Sequence, residues 1–204
     1  YPGQEGGNAL ADVLFGDYNP AGRLPVSVPR EVGQLPVYYN KKFPMGHDYV
    51  EIPSAPLYPF GYGLSYTEFS YGDLRIAPAS SVVVEGSSDK DAVAVSMKDK
   101  EMSDELMEVS VVVSNTGEYD GDEVVQLYLT DLKASVSRPN RQLRAFRRVH
   151  IRAGESESVK FVLRASDFAL YDNNMRYVVE PGDFRISVGA SSADIRAEHI
   201  VTIL

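Results

Sequence analysis

The stretch "LMEVSVVVSNTGEYDGDEVVQLYLTD" occupies residues 106–131 and decides the fold class. Two apolar runs, residues 106–115 and 123–131, flank a loop that is dense in the turn-forming residues Asn, Gly and Asp. In the second run the side chains alternate between two faces, with Val125, Leu127 and Leu129 on one and Val124, Gln126 and Tyr128 on the other. This period of two predicts a β-strand.

Short strand patterns continue on both sides of this stretch. They are predicted at residues 69–77, 142–151, 158–165 and 194–203, with a hairpin about "EPGD" within 175–191 and one helical turn within 166–172. A slip in the alternation predicts a bulge near Phe146. Seven or eight strands over roughly 135 residues predict a β-sandwich. Residues 77–105 are polar and irregular apart from an apolar island at 82–84, which predicts a surface excursion or a partly mobile segment.

The first thirty residues follow a different pattern. Residues 5–15 predict a short helix with Leu10, Val13 and Leu14 on one face, ended by Gly16. Residues 24–28 alternate like a strand, and their flanking prolines predict a strand at an edge. A helix and a strand make half an α/β unit, which cannot bury its own faces. We therefore expect its neighbours upstream of Tyr1.

Residues 31–66 predict an extended linker. The segment contains five Pro, four Gly and six Tyr. So many exposed aromatic rings would form a large apolar patch, so we expect most of them to be buried against a surface.

Composition excludes several classes of protein. The chain has 204 residues, with 29 acidic against 20 basic side chains and a net charge of −9, which argues against nucleic-acid binding. No apolar run approaches the roughly 18 residues of a membrane-spanning helix. With no Cys, the chain has neither disulfides nor thiolate zinc ligands.

Motifs for catalysis or metal binding are incomplete. The histidines His47, His150 and His199 do not lie at metal-ligand spacing from one another. His150 and His199 fall in strand patterns, which indicates surface or edge positions, whereas His47 in the linker is the better candidate to face a site. "GYGLSYT" does not make Ser65 a nucleophile elbow, and "GQEGG" lacks the ending of a phosphate-binding loop.

Paired carboxylates catalyse glycoside hydrolysis, so two acidic clusters are candidates for a catalytic pair. They are Glu5, Asp12 and Asp17 in the first cluster, and Asp120, Asp122 and Glu123 in the second. Glu5 stands at the predicted helix N-terminus, which indicates a capping residue. The second cluster lies in a turn, which favours a solvated loop, and its spacing is not that of an EF-hand calcium site.

Five arginines cluster within residues 138–150. They are Arg138, Arg141, Arg144, Arg147 and Arg148. In an acidic protein this pattern favours an exposed strand face over a nucleic-acid patch.

Longer blocks of the sequence resemble a known family. "PGQEGGNALADVLFGDYNPAGRLPVSVP", "VGQLPVYYN" and "PLYPFGYGLSYTEFSY" resemble successive signatures of the family 3 glycoside hydrolases, the β-glucosidase and β-xylosidase group. "VVVSNTGEYDGDEVVQLYLTD", "RPNRQLRAFRRVHIRAGESESV" and "VEPGDFRISVGASS" resemble the C-terminal fibronectin type III-like domain of that family. Only residues 77–105 lie outside such blocks.

The resemblance implies a mainly β fold, a fibronectin type III-like (immunoglobulin-like) β-sandwich preceded by a helix-strand remnant of an α/β sandwich domain. It implies that residues 1–30 end the α/β domain, that 31–66 are an extended Tyr/Pro-rich linker, and that 67–204 form the β-sandwich, with 77–105 as an irregular excursion.

The resemblance also implies where the chemistry lies. Such enzymes hydrolyse β-linked sugars with retention, through an Asp nucleophile on a barrel domain and a Glu acid/base that usually comes from the α/β domain. Both precede the "PGQEGG" block, so we expect no catalytic, cofactor-binding or metal-binding residue in this chain. Glu5 does not match the acid/base, and the mechanism needs no cofactor.

The implied partners are the upstream barrel and α/β domains of the same enzyme and, through them, a β-linked oligosaccharide. A homodimer stays open, and no nucleic acid or membrane span is expected. The implied location is secreted or periplasmic. Two alternatives to a β-glucosidase portion remain: a β-xylosidase portion, and a stand-alone sandwich module that binds carbohydrate or protein.

Overall fold

Strands dominate the computed structural model, which describes residues 3–42, 53–79 and 93–204. The helices are α1 (Gly6–Phe15) and α2 (Ala165–Phe168), with a 3₁₀ turn at Val32–Gln34. The strands are β1 (Phe69–Pro78), β2 (Val93–Val95), β3 (Glu105–Asn115), β4 (Gly121–Asp131), β5 (Gln142–Ile151), β6 (Ser156–Arg164), β7 (Leu170–Tyr171), β8 (Tyr177–Val178), β9 (Gly182–Gly189) and β10 (Ile195–Ile203).

The strands form two main sheets and a short ribbon. One sheet has three strands in the order β1-β3-β6, and the other has five in the order β2-β10-β9-β4-β5. Pairing is antiparallel except between β2 and β10, which run parallel. β7 and β8 pair with each other as a separate ribbon. The predicted mainly β sandwich is therefore confirmed.

One apolar core lies between the two main sheets, because alternate residues of the paired strands turn inward. The inward residues include Val109, Val111 and Val113 of β3, Val159, Phe161 and Leu163 of β6, Val125, Leu127 and Leu129 of β4, and Phe184, Ile186 and Val188 of β9. Phe168 of α2 packs edge-on against Phe184, with ring centroids 5.0 Å apart. The two runs that predicted the fold class thus contribute to both halves of the core.

The hairpin predicted about "EPGD" is wrong. β8 pairs with β7, and β9 pairs with β10 and β4. The cause is a tight turn set by Asp172, whose carboxylate accepts hydrogen bonds from the backbone N–H groups of Asn174 at 2.8 Å and Arg176 at 2.9 Å. Asp172 therefore folds residues 177–178 back on 170–171.

Residues 77–105 are more regular than their sequence indicates, wherever the structure describes them. β1 continues to Pro78, and β2 lies within the predicted excursion with Val95 fully buried. A strand of three residues is too short to show a period, so the sequence pattern missed it. The apolar island at 82–84 lies outside the described residues.

The bulge predicted near Phe146 lies two residues earlier. Leu127 of β4 pairs with Ala145 and Tyr128 pairs with Leu143, so Arg144 is the extra residue of β5.

The predicted N-terminal helix is confirmed as α1. It ends at Gly16, which adopts the left-handed conformation at φ 87°. Its apolar face, however, has no cover among the described residues: Leu10 and Leu14 are exposed, and Phe15 is 83% exposed.

The edge strand predicted at residues 24–28 is reduced to a single bridge between Val28 and Tyr58. Pro25 and Pro29 have no N–H group, so a continuous ladder cannot form there. The segment instead runs beside the linker through paired backbone bonds, in which Leu24 donates to Tyr62 and Gly61 donates to Leu24, both at 2.8 Å.

The core predicts a large difference between two Leu→Ala substitutions. Leu127 is fully buried, so Leu127→Ala should cost about 2–5 kcal/mol of unfolding free energy, measured by urea denaturation. The matched control is Leu132→Ala, at a leucine that is 40% exposed, which should cost less than about 1 kcal/mol. Equal costs would contradict this assignment of the core.

Candidate functional site

A buried ion pair joins the N-terminal segment to the sandwich. Glu123 lies on the inner face of β4 and is 2% exposed. Arg23 Nη2 lies 2.7 Å from Glu123 Oε2, and the Tyr71 hydroxyl donates to Oε1 at 2.8 Å. Arg23 and Glu123 are 100 residues apart in the chain, so the pair is a purely tertiary contact.

The backbone around Arg23 is shaped to let its side chain reach the sandwich. A Cβ atom at Gly63 would lie 2.2 Å from the carbonyl oxygen of Gly22 and 2.3 Å from the Arg23 guanidinium. Only glycine therefore fits at position 63. The backbone bonds between Leu24 and the linker continue this close approach.

Burial and charge oppose each other at Glu123. Burial raises the pKa of the Glu123 carboxyl, whereas the positive charges of Arg23 and Arg196 and the hydrogen bond from Tyr71 act to lower it. Burial also raises the pKa of Tyr71, and the neighbouring Glu123 raises it further. Tyr71 consequently stays a hydrogen-bond donor, and Glu123 depends on Arg23 for its counter-charge.

Asn19 joins three segments at the end of α1. Its Nδ2 donates to the carbonyl oxygen of Asp120 at 3.0 Å. Its Oδ1 accepts from the backbone N–H of Tyr66 at 2.8 Å and from the Ser65 hydroxyl at 3.0 Å. The Tyr66 hydroxyl in turn donates to the carbonyl oxygen of Val13 at 2.6 Å.

Gln126 fixes the linker on the outer face of β4. Its Nε2 donates to the carbonyl oxygens of Gly61 at 3.2 Å and Ala190 at 2.6 Å, and the Tyr128 hydroxyl donates to its Oε1 at 2.5 Å. Gly61 has φ 80°, and a Cβ atom there would lie 2.1 Å from Gln126 Oε1. The backbone of the linker thus lies directly on the amide.

Aromatic rings complete this contact. Tyr39 and Phe60 of the linker stack with ring centroids 4.1 Å apart, and Tyr39 meets Tyr128 edge-on at 6.2 Å. The expectation that most linker rings are buried is too strong in the part that the structure describes. Tyr39, Phe60 and Tyr62 are half-buried, but Tyr38, Tyr58 and Tyr66 are exposed.

Comparison with known proteins finds a family model for the N-terminal segment and another for the sandwich. The model of the glycosyl hydrolase family 3 C-terminal domain matches residues 1–66. The model of the fibronectin type III-like domain matches residues 123–192. The chain belongs to the C-terminal part of the family 3 glycoside hydrolases.

Relatives of this family 3 chain match it along nearly its whole length. A periplasmic β-glucosidase of Salmonella typhimurium is 39% identical over 96% of the chain and 24% of the relative. A β-xylosidase of Formosa agariphila is 39% identical over 100% of the chain and 25% of the relative. The structure of a β-glucosidase from Erythrobacter marinus matches with a TM-score of 0.83 and 41% identity, covering 100% of this chain and 24% of that one. The chain thus spans about a quarter of the relatives it matches.

The candidate carboxylates of this family 3 chain have structural partners. Glu5 occupies the N-cap position of α1 without a side-chain capping bond, so the predicted cap is wrong. Its carboxylate accepts instead from Asn8 Nδ2 at 2.6 Å. Asp120 accepts from the backbone N–H of Ala153 at 2.9 Å.

The interpretation of the second acidic cluster as a solvated loop is wrong for Glu123, because β4 begins at Gly121 and turns that side chain inward. Asp122 faces the other way, where it contacts Arg148 and His150. Asp12 and Asp17 are exposed. Within residues 3–42, 53–79 and 93–204 no group of three or more His, Asp or Glu residues could hold a metal ion.

The arginine cluster is not one exposed strand face. Arg138 donates to the carbonyl oxygen of Ala169, Arg141 donates to that of Ser192 and lies over the Tyr128 ring, and Arg144 donates to Gln142. Burial lowers the pKa of Arg144. Only Arg147 and Arg148 are exposed, so most of the cluster organises turns around the sheet.

The two described histidines lie on different strands, His150 on β5 and His199 on β10. His150 is exposed, as predicted, and its Nδ1 lies 2.6 Å from Asp122 Oδ1. His199 is half-buried on β10, and its Nε2 has no hydrogen-bond partner. His47 lies outside the described residues. Among the described helices, none has the length and apolar character to cross a bilayer.

The buried ion pair predicts a specific instability. Glu123→Gln leaves the Arg23 guanidinium buried without a counter-charge, which should cost about 3–5 kcal/mol of unfolding free energy in urea denaturation. The same substitution at Glu108 is the control, because its pair with Lys160 at 2.9 Å is solvent-exposed and worth about 0–1 kcal/mol.

The double variant Arg23→Met/Glu123→Gln should be more stable than the sum of the single variants predicts, since it removes both charges. Strict additivity of the two substitutions would contradict a direct coupling between these side chains.

Asp122 predicts a pH dependence. Partial burial raises the pKa of Asp122, but the hydrogen bonds from His150 and Arg148 outweigh burial, and the net pKa lies below the ordinary 3.8. A lowered pKa stabilises the fold above the unfolded-state value and loses that effect as the pH falls through the folded-state value. Asp122→Asn should therefore lower stability at pH 6, and the difference from the unsubstituted chain should shrink below about pH 4. Urea denaturation between pH 7 and pH 3 measures it, and a constant difference would refute the assignment.

Proposed function

We propose that this chain is the C-terminal structural portion of a retaining β-glycosidase whose activity is that of a β-glucosidase. The observation that carries the proposal is the coverage. Relatives that include a named β-glucosidase match 96–100% of this chain but only 24–25% of their own length. The proposed role of the chain is to buttress the preceding domains, and the hydrolysis of terminal β-linked glucose belongs to the longer protein.

The partners of the acidic side chains support the absence of catalytic carboxylates. A retaining mechanism needs two carboxyl groups about 5–5.5 Å apart, each free to reach the sugar. Glu123 is held by Arg23 and Tyr71, and Asp122 is held by Arg148 and His150. We infer that the nucleophile and the acid/base lie in preceding domains.

The exposed face of α1 supports the buttressing role. Leu10, Leu14 and Phe15 present apolar surface to solvent, and a helix with such a face ordinarily packs against a neighbour. The model of the family 3 C-terminal domain matches residues 1–66. We infer that the neighbour of α1 is the rest of that α/β domain. The sandwich would then stabilise the α/β domain through two contacts in series. Residues 19–66 contact the sandwich, and α1 would contact the rest of the α/β domain.

A β-xylosidase portion is the second candidate, because the Formosa agariphila relative bears that name at the same 39% identity. Sugar choice depends on pocket residues, which we place in the preceding domains. We propose a secreted or periplasmic location, on the strength of the periplasmic name of the Salmonella relative.

Activity assays test the proposal. The longer natural protein that contains this chain should hydrolyse 4-nitrophenyl β-glucoside faster than the β-xyloside, and the 204-residue chain alone should hydrolyse neither. Turnover by the 204-residue chain that is abolished by Glu5→Gln would place the chemistry here and overturn the proposal. Binding of oligosaccharides by this chain, measured by calorimetry, would favour a binding module instead.

Removal of residues 67–204 from the longer protein tests the buttressing role. We expect a lower melting temperature with little change in the ratio of glucoside to xyloside turnover, since the deletion removes the contacts that Arg23, Asn19 and Gly61 make with the sandwich. An unchanged melting temperature would count against it. Arg23→Met in the undeleted longer protein is the matched comparison, and it should reproduce part of the loss because it leaves the buried Glu123 carboxylate without its counter-charge.

A further inference from the structure

β5 carries an aromatic side chain that the described residues leave uncovered. Phe146 lies in the middle of the strand and is 67% exposed. It pairs with Gln126 of β4, so it lies on the outer side of the five-stranded sheet, away from the core. Arg148 and His150 follow on the same side at two-residue spacing, and both are exposed. We call these three side chains the Phe146 face.

The described part of the linker covers the neighbouring strand and reaches the start of β5, where the backbone N–H of Leu143 donates to the Tyr39 hydroxyl at 3.3 Å. It lies on Gln126 and Tyr128 of β4, through Gly61 and the ring of Tyr39. β5 is the outermost strand of its sheet among the described residues, so no described strand pairs with it on the side away from β4.

The Phe146 face contacts the segment that follows α1. Arg148 Nη2 donates to the Tyr18 hydroxyl at 2.8 Å, and Tyr18 lies three residues after the end of α1. A groove of about 660 Å³ at the end of α1 is lined by Leu14, Phe15, Tyr66 and Tyr119 among others. The contact between Tyr18 and Arg148 therefore joins the end of α1, where Phe15 is exposed, to the Phe146 face.

Isolated exposed apolar residues are ordinary, but this arrangement is not isolated. Exposed aromatic rings beside an arginine are the side chains that dominate binding energy at protein interfaces. Phe15, Tyr18 and Phe146 supply the rings, and Arg148 supplies a guanidinium whose side chain is 53% exposed.

We propose that the Phe146 face docks onto the polypeptide that precedes residue 1 in the longer enzyme. α1 and the sandwich would then both contact this polypeptide, so that the sandwich packs directly against the preceding domain in addition to being connected to it through the linker. The proposal rests on the proposed function, which supplies that preceding polypeptide.

Chain length and position favour this occupant. The relatives are about four times as long as this chain, since it covers 24–25% of them. The preceding polypeptide joins at the N-terminal end of α1, and a helix of ten residues is about 15 Å long. Such a short tether gives the preceding domain a high effective concentration at the Phe146 face.

The chemistry of the Phe146 face specifies the partner surface. The ring of Phe146 needs an apolar pocket. Arg148 offers N–H donors at its rim, so the pocket should be bordered there by a carboxylate or carbonyl oxygen, whereas His150 uses its Nδ1 on Asp122 and offers only Nε2. Asp122 already accepts from both groups, which fixes their orientation before docking.

Hydrogen exchange tests the docking without any substitution. We expect the backbone amides of residues 142–151 to exchange at least about tenfold more slowly in the longer protein than in the 204-residue chain. Amides of 156–164, on the other sheet, serve as the internal reference and should exchange alike in both. Equal exchange of 142–151 in the two proteins would overturn the proposal.

A substitution tests the ring directly. Phe146→Asp should lower the melting temperature of the longer protein by several degrees but leave that of the 204-residue chain nearly unchanged, because the ring is exposed there. Val162→Asp is the matched control, since Val162 is exposed on the outer side of β6 and should have equal effects in both proteins. Phe146→Ala should show the same contrast at smaller size.

Other outcomes of the Phe146→Asp experiment would overturn the docking proposal. If Phe146→Asp converts a dimer of the longer protein into monomers, a second copy occupies the Phe146 face and the proposal fails. Equal destabilisation of both proteins would also overturn it, because the ring would then serve the sandwich itself. Absence of glycosidase activity in the longer protein would sink the proposed function but would leave this contrast measurable.

Discussion

The contact between Arg23 and Glu123 constrains the rest of the structure. A carboxylate that is almost fully buried at the end of a sandwich core is stable only when a cation reaches it. The sandwich meets this need with a side chain from the other part of the chain. The turn before Arg23, the close approach at Gly63 and the backbone pairing of Leu24 all follow from the need to deliver that guanidinium.

β4 is the strand through which both parts of the molecule are organised. Its odd-numbered residues face the core and, at Glu123, the ion pair. Its even-numbered residues Gln126 and Tyr128 carry the linker. Because side chains alternate along a strand, one segment can serve a core and an interface at once. The polar residues of this strand are therefore the ones that fasten the two parts together.

The sequence predicted the features that depend on local pattern. The strands around residues 106–131, the helix α1 with its Gly16 end, and the turn of α2 are all visible in alternation, helical spacing and turn residues. β2 was missed because three residues carry no period, and the strand at 24–28 failed because two prolines remove its donors.

The partners of polar side chains could not be predicted in this way. Glu123 follows Gly121 and Asp122 in a stretch that resembles a solvated turn, and its partner is 100 residues away. Arg138 and Arg141 likewise donate to carbonyl groups that only the folded chain brings near. The family resemblance supplied the domain order, which no periodicity contains, and the prediction that the chain lacks catalytic residues stays a prediction.

Gln126 and Gly61 bear on how such a sandwich can be inherited. The pattern changes to strands at about residue 67, which would be the natural point for recombination between related genes. The side chains do not respect that point, because Arg23, Asn19 and Gly61 lie before it and Glu123, Asp120 and Gln126 lie after it. A crossover there would place Gly61 against a residue other than the Gln126 amide that it fits. It would also place Glu123 against a residue other than Arg23. These contacts between the two parts mean that the two parts should change together in evolution. We expect a successful exchange of the sandwich to include residues 19–66.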